Sequence, residues 1–238
     1  MGFFNKKYAK LSLDLHSHLI PNVDDGSKSM GQSINMLKRL IDLGFKKIIT
    51  TPHIHPNYPN TPEIILGGLS KLQDEVSRLN LQIELEAAAE YYVDDAFHKK
   101  VKDGGVILSF GGKHVLVESS FLNKPVFFES AMFDLLSAGY TPVLAHPERY
   151  QFLEGSIDWL IELKSMGVLF QVTFGSLGGF YGTTPEKIAK TLLRNKMVDY
   201  LGSDLHRESH LSFLEKGLKS RVVQNAIKEE TLKNHELL

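Results

Sequence analysis

Apolar residues recur along this chain in two periods that alternate. Leu11, Leu13 and Leu15 fall at every second position, the spacing of a strand. Met30, Ile34, Leu37, Leu40 and Ile41 then follow helical spacing within 29–43, and Gly44 supplies a stop. A second strand is predicted over 46–51, centred on Ile48 and Ile49. A helix follows over 61–79, capped by Thr61 with Pro62 at its first position and Glu63 in its first turn; Gly67-Gly68 weakens or bends its middle. The stretch 81–89 reads as a strand ending at Glu90, although Ala87-Ala88-Ala89 alone favours helix. Further on, helices are expected over 93–102, 125–138 and 157–166, and strands over 114–118, 141–145, 168–173 and 198–201, with a brief extended piece at 106–108. A glycine-rich loop covers 174–182, and Thr184-Pro185-Glu186 opens another helix. From Ser212 the pattern is helical, divided near 219–221, with a polar end that frays beyond Glu229.

Seven strand positions with helices between most of them predict a parallel α/β fold. A complete or incomplete barrel fits better than an open sheet, because polar residues suited to chemistry follow nearly every strand. One domain over 1–238 is expected, with 1–10 as an N-terminal extension and 219–238 as a C-terminal helical segment.

Composition narrows the function. The 238 residues are 42% hydrophobic and 23% charged, as in a soluble globular protein. Lys plus Arg total 27 against 28 for Asp plus Glu, so no overall basic field favours a nucleic acid. The sequence holds no cysteine, which removes thiol nucleophiles and thiolate ligands; any metal must be held by nitrogen and oxygen. Residues 1–10 lack the apolar core of a secretory signal, and no run is suited to span a bilayer, so a cytoplasmic location without stable membrane insertion is expected. Phe3-Phe4 and Lys6-Lys7 could touch a membrane or pack on the body.

The polar groups predicted at strand ends are His16 and His18, then His53, Glu90, Glu118, His146 with Arg149, and finally Asp204 and His206; Asp25 lies on the first loop. A lone His-x-His is equally read as two ordinary polar groups, but the joint placement of so many donors on one rim points to two or three divalent ions. Such ions orient a phosphate, acidify a water and neutralise charge during in-line attack, which implies hydrolysis. Arg149 keeps its charge and offers a fork for two phosphate oxygens, the alternative being a salt bridge to Glu148 or Glu154. Phe180 and Tyr181 could flank a phenyl ring or simply pack their loop. His55, His98, His114, His235, Tyr91 and Trp159 are read as capping, surface or packing residues.

Asp14-Leu15-His16-Ser17-His18, Asp24-Asp25-Gly26, Thr51-Pro52-His53, Glu90-Tyr91, His146-Pro147-Glu148-Arg149-Tyr150 and Ser203-Asp204-Leu205-His206 together resemble the bacterial manganese-dependent protein-tyrosine phosphatases of the polymerase and histidinol phosphatase (PHP) superfamily, capsular or exopolysaccharide type. The resemblance runs from about Leu11 to Gly217. It implies a distorted (β/α)7 barrel and hydrolysis of phosphotyrosine on bacterial tyrosine kinases that govern capsule or exopolysaccharide export. By the same resemblance His16, His18, Glu90 and Asp204 match the ligands of one metal, Glu118 and His146 complete a second with Glu90 shared, and Asp25, His53 and His206 match a third. Manganese is the implied ion, with iron or zinc as alternatives. The family pattern also places an arginine several residues beyond the final histidine, where this chain has His210-Leu211; Arg207 or His210 would take that role. Two other readings compete: a phosphatase for a small metabolite such as histidinol phosphate, and a metal-stabilised interaction protein without activity.

Overall fold

The computed structural model describes residues 11–153 and 155–238. The expected N-terminal extension and Glu154 lie outside the described residues. Nine strands and nine α-helices are defined among those described. The order is β1 (Leu13–Asp14), α1 (Met30–Asp42), β2 (Lys47–Thr50), β3 (His53–Ile54), α2 (Pro62–Arg78), β4 (Glu84–Ala87) and β5 (Glu90–Tyr92). It continues through α3 (Asp95–Lys102), β6 (His114–Glu118), α4 (Phe128–Ser137), β7 (Thr141–Ala145), α5 (Asp158–Ser165) and β8 (Leu169–Thr173). The chain ends with α6 (Phe174–Leu177), α7 (Thr183–Arg194), β9 (Tyr200–Gly202), α8 (Leu211–Leu218) and α9 (Arg221–Lys228).

All strand pairs are parallel, in the orders β1-β2-β4 and β3-β5-β6-β7-β8-β9. The two sheets are halves of one wall. Pro52 interrupts the ladder between β2 and β3, and Ala88-Ala89 separates β4 from β5. Pairing nevertheless carries across the break, since Ala88 N–H donates to Thr50 O (2.9 Å) and Glu90 N–H to Pro52 O (3.1 Å). Counting each broken strand once restores the seven positions predicted from periodicity. The first and last positions meet at a parallel bridge between Ser17 and Leu205, where His18 N–H donates to Leu205 O (3.0 Å) and Asp204 N–H to His16 O (2.8 Å). This is a distorted barrel, and its seam joins the two ends of the chain that carry candidate ligands.

Alternation divides the core in two. Leu13, Leu15, Ile49, Leu116, Val143 and Ala145 form one buried cluster with Phe110, Tyr200 and Leu237. Their strand neighbours Ile48, Val115, Val117 and Leu144 belong to a larger cluster shared with the helices. A period of two thus fills the barrel with one set and packs the helices on the other.

Three local expectations change. Helix α2 runs unbroken through Gly67-Gly68; a Cβ on Gly68 would lie 2.3 Å from Ile20 Cγ2, so this glycine permits close approach rather than a bend. Gly67 has open space around it. Gly67→Ala is therefore expected to stabilise the fold by about 0.8 kcal/mol, whereas Gly68→Ala costs about 1–3 kcal/mol through overpacking; paired denaturant titrations read both signs. The stretch 174–182 is not all loop, because Phe174–Leu177 forms a helical turn capped by Thr173, whose Oγ1 accepts from Ser176 N–H. The end of the chain does not fray: buried Asn234 accepts from Leu201 N–H (3.0 Å) and donates to Leu13 O (3.2 Å) and Leu201 O (2.8 Å). These bonds tie the tail to both strands at the seam.

Candidate metal centre

The parallel strands bring all nine predicted donors to one place. His16 and His18 follow β1, His53 and Glu90 stand where the broken strands resume, Glu118 closes β6, His146 follows β7, and Asp204 and His206 follow β9. Four overlapping groups form: His18, Asp25, His53 and His206; His16, His18 and Asp204; His16, Glu90 and His146; and His53, Glu90 and Glu118. Within each group the candidate ligand atoms lie within 4.8 Å of one another. Glu90 sits at the middle. Its Oε1 faces His146 Nε2 (2.9 Å), while Oε2 faces His53 Nδ1 (3.1 Å), His16 Nε2 (3.3 Å) and His18 Nε2 (3.4 Å). Glu118 Oε1 lies 2.9 Å from His53 Nδ1 and only Oε2 approaches His146, at 3.9 Å. The geometry thus places Glu118 nearer His53 than the His146 partner implied by the family resemblance.

The donor set fits divalent cations. His16 Nδ1–H donates to Gln171 Oε1 (2.7 Å) and His18 Nδ1–H to Asp24 Oδ2 (2.7 Å), which turns both Nε2 atoms toward the cluster, 3.3 Å apart. Two imidazole lone pairs at that distance repel unless a proton or a cation lies between them. Glu90 Oε2, His53 Nδ1 and Asp25 Oδ1 are buried atoms with no hydrogen-bond partner, although charged neighbours are close. Each of these residues belongs to a group whose candidate ligand atoms lie within 4.8 Å of one another, as the ligands of one ion do. Burial alone would lower the His16 pKa, yet the Glu90 and Asp204 carboxylates override it and push it up to about 9. Burial likewise opposes ionisation of Glu90, and the His16 and His53 imidazoles hold it well below the usual carboxylate range. A proton and a metal compete for the same lone pairs.

Backbone geometry aims two of the donors. His146 (φ 35°) and Asp204 (φ 52°) both occupy the left-handed region, a strain of about 1–3 kcal/mol each for residues bearing a Cβ. Gly26 lets the acidic loop fold over β1: a Cβ there would lie 2.4 Å from both His18 Cβ and His18 O.

Above the cluster opens a cleft of about 570 Å3 that includes His53, Glu118, Asp204 and His206, with Tyr58, Tyr92, Phe121, Phe180 and Tyr181 among its walls. Arg149 projects into it. The guanidinium carbon lies 4.5 Å from the Phe121 ring centre and 4.1 Å from that of Tyr181, and Nη1 donates to Asp204 Oδ2 (2.7 Å). Tyr181 O–H donates to the same oxygen (3.1 Å). Of the two expected alternative partners, Glu148 is buried and turned to Thr173, whose N–H it accepts (2.9 Å), and Glu154 lies outside the described residues. Arg207 is exposed at the cleft, and His210 is half-buried there, 4.4 Å from the Phe180 ring. Burial, with His206 beside it, lowers the His210 imidazole to about 4, so it faces the cleft uncharged at neutral pH.

The residues read as non-ligands keep structural jobs. His55 Nδ1 accepts from Asn57 N–H (2.9 Å), His98 meets Asp134 (2.6 Å), and buried Tyr91 accepts from Leu108 N–H (2.7 Å). Trp159 donates to Glu129 Oε1 (2.7 Å) from the edge of the core. Sequence reasoning missed Asp24 and Gln171 as supports of the two histidine rings. Asp24 stood beside Asp25 in a motif already singled out; Gln171, in the middle of an apolar strand, carried only its polarity as a signal. Gln171→Met is expected to weaken metal retention roughly 10–100-fold without loss of fold. A chelator competition reads this, and unchanged retention would mean that packing alone fixes the His16 ring.

Three comparisons bear on this site. The family model for capsular polysaccharide synthesis, CpsB/CapC, matches residues 12–232. The chain is 28% identical to CapC of Staphylococcus aureus over 95% of its own length and 90% of that protein. It is 27% identical to the tyrosine-protein phosphatase YwqE of Bacillus subtilis (strain 168), covering 84% of this chain and 80% of that one, and 29% identical to the tyrosine-protein phosphatase CpsB of Streptococcus pneumoniae, covering 82% of each. Among solved structures, a chain from a study of YwqE and CpsB, described as unique metal-dependent tyrosine phosphatases, superposes with a TM-score of 0.79 at 25% identity over 92% of each chain. Histidinol phosphate phosphatase from Lactococcus lactis shares the fold, with a TM-score of 0.58 at 14% identity over 90% of this chain and 94% of that one.

Proposed function

Because the chain belongs to the CpsB/CapC family of capsular polysaccharide synthesis, we propose that it is a metal-dependent phosphatase that hydrolyses phosphotyrosine in proteins, with a bacterial tyrosine kinase tied to capsule or exopolysaccharide production as its substrate. The observation that carries this reading is the aromatic-walled cleft with Arg149 at its side and nine nitrogen and oxygen donors at its floor. A phenyl ring enters between aromatic walls, and the phosphate it carries is brought to the donor cluster. The floor would hold two or three divalent ions, manganese foremost and iron or zinc on the same donors. His16, His18, Asp204 and Glu90 would hold one, His146 with the shared Glu90 a second, and Asp25, His53 and His206 a third, with Glu118 standing beside His53 and Glu90 rather than beside His146. When bound, the ions polarise the phosphoryl group and acidify the attacking water.

The protein's own groups then orient the substrate. Arg149 presents a guanidinium already ordered by two rings and one carboxylate, so little side-chain freedom is lost when it takes phosphoryl oxygens. Arg207 adds charge at the cleft, and His210 offers a neutral N–H where the family pattern has an arginine. No helix among the described residues is long and apolar enough to cross a membrane.

The test is a time course of phosphate release from a phosphotyrosyl peptide, with manganese and after metal removal, beside phosphoserine and histidinol phosphate. Metal-dependent preference for phosphotyrosine is expected. Equal turnover of histidinol phosphate would remove the protein substrate from the reading, and silence across the panel in a fully metallated sample would remove the enzyme.

A further inference from the structure

Asp14 is fully buried at the end of β1, two residues before the first histidine of the donor cluster, yet it belongs to none of the four donor groups. A carboxyl taken wholly out of water needs hydrogen-bond donors. Most of its donors come from one residue. Oδ1 accepts from Ser203 N–H (2.7 Å) and, at 3.4 Å, from His16 N–H, while Oδ2 accepts from the Ser203 hydroxyl (2.6 Å). Ser203 lies 189 positions away in sequence and directly follows β9. The side chain stands where a ladder is missing. Strand β1 pairs with β2 and β9 with β8, and the backbone bridge at the seam comes only beyond both strands, between Ser17 and Leu205.

Ser203 and Leu205 flank Asp204, and the Asp14 clasp fixes both. Ser203 N–H is held by Asp14, and Leu205 N–H donates to the Ser203 hydroxyl oxygen (3.1 Å), whose own proton goes to Asp14. Asp204 N–H, between them, donates to His16 O (2.8 Å). Three successive amides are thereby committed, two of them through Asp14 or the hydroxyl it orients. Their commitment matters because Asp204 is left-handed (φ 52°), a conformation that persists in a residue bearing a Cβ only when its surroundings hold it. That backbone sets where Asp204 Oδ1 stands, 3.4 Å from His16 Nε2 and 3.6 Å from His18 Nε2.

We propose that Asp14 is a positioning residue of the metal centre, which through Ser203 holds the left-handed backbone of Asp204 and so places the Asp204 carboxylate against His16 and His18. The inference rests on the reading of this cluster as a divalent-cation site. Asn234 supplies the contrast. It bonds Leu13 O, Leu201 N–H and Leu201 O at the same seam, but its bonds reach neither Ser203 nor Leu205. Closing the wall and aiming the ligand are therefore separable.

The experiment loads the full chain with cobalt(II), whose visible absorption reports coordination geometry, and measures retention by chelator competition. Circular dichroism and thermal unfolding of the metal-free chain check the fold of each variant. Asp14→Ala is expected to weaken retention roughly 10- to 100-fold, the usual cost of removing a partner that orients a ligand, and to alter the cobalt spectrum. Asp14→Asn should recover most of both, because its amide oxygen still accepts from Ser203 N–H and its NH2 donates to the Ser203 oxygen, whose proton then turns to His16 O (3.0 Å). Ser203→Ala should match Asp14→Ala, and the double variant should be no worse than either single one, since both break the same clasp. Asn234→Ala should lower the unfolding temperature while cobalt affinity and spectrum stay as in the parent. Should Asp14→Ala fail to fold, Ser203→Ala carries the same comparison. Parental affinity and spectrum in a folded member of that pair, or an equal loss in Asn234→Ala, would overturn the proposal; a parent chain that takes up no cobalt would remove the metal centre itself, and this inference with it.

Discussion

Glu90→Gln is expected to lower phosphate release at least about 1,000-fold, equivalent to ~4 kcal/mol of transition-state stabilisation. No other carboxylate among the described residues of the cluster has four histidine nitrogens within 3.4 Å. One carboxylate oxygen faces His146 and the other faces His16, His18 and His53, all within 3.4 Å, and the residue is fully buried. An amide of the same shape keeps the packing but loses the charge and one acceptor, so two cations lose the anion they would share. Metal analysis after gel filtration should show fewer bound ions per chain than in the parent. Thermal unfolding supplies an independent reading, since ions that bind only the folded state stabilise it by about 2.7 kcal/mol at a hundred times Kd. The parent should therefore gain more from added manganese than the variant does. Glu118→Gln makes the useful comparison, because Glu118 meets only His53 closely and lies nearly 4 Å from His146. Its loss of rate should be the smaller. If Glu90→Gln retains full metal content and turns over within tenfold of the parent, Glu90 is not the shared ligand.

The route from sequence to this centre worked where a period determines direction. In β6 and β7 the observed limits, His114–Glu118 and Thr141–Ala145, coincide with the predicted ones. Both strands are buried on both faces, but successive residues alternate between the barrel interior and the helix-facing core, which leaves no second register in which Leu116, Val143 and Ala145 all fill the barrel. Each strand then delivers its next polar residue to the same rim, and this is why nine ligand candidates could be named without coordinates.

Other features depend on tertiary contacts that have no period. The left-handed backbone at His146 and Asp204 is held by the surrounding structure, because both residues disfavour it locally. Gln171 supports His16 across 155 positions of sequence, so only the meeting of the first and last strand positions brings them together. The tail reads as a fraying polar segment because its anchors are scattered: Asn234 bonds strands from opposite ends of the chain, Leu232 and Leu237 are buried beside it, and Lys233 pairs with Asp199. The glycine-rich stretch misleads in a related way, since its first turn is ordered by the hydroxyl of Thr173 rather than by apolar spacing.

Arg149→Ala is expected to reduce turnover by about 100- to 1,000-fold, the usual cost of removing one preorganised electrostatic contact to a developing charge, while metal content stays close to that of the parent. The reason for separating rate from metal is geometric. Arg149 touches Asp204 through Oδ2, whereas Oδ1 is the oxygen that faces His16 (3.4 Å) and His18 (3.6 Å). Tyr181 still donates to Oδ2 after the guanidinium is removed, so Asp204 keeps one of its two supports. Arg149→Lys should recover little, since an ammonium can neither stack as a plane between Phe121 and Tyr181 nor offer two parallel N–H groups. Tyr181→Phe keeps the ring on Arg149 and deletes only the hydroxyl, so its effect on kcat should remain under about tenfold, with metal content unchanged. The informative comparison is between rate and bound metal across the three variants. If Arg149→Ala sheds metal in proportion to its lost activity, the arginine's work is to hold Asp204 in place. If metal stays and kcat falls, the guanidinium acts on the phosphoryl group itself, and Arg149→Ala should then bind orthophosphate at the metal centre more weakly than Tyr181→Phe does.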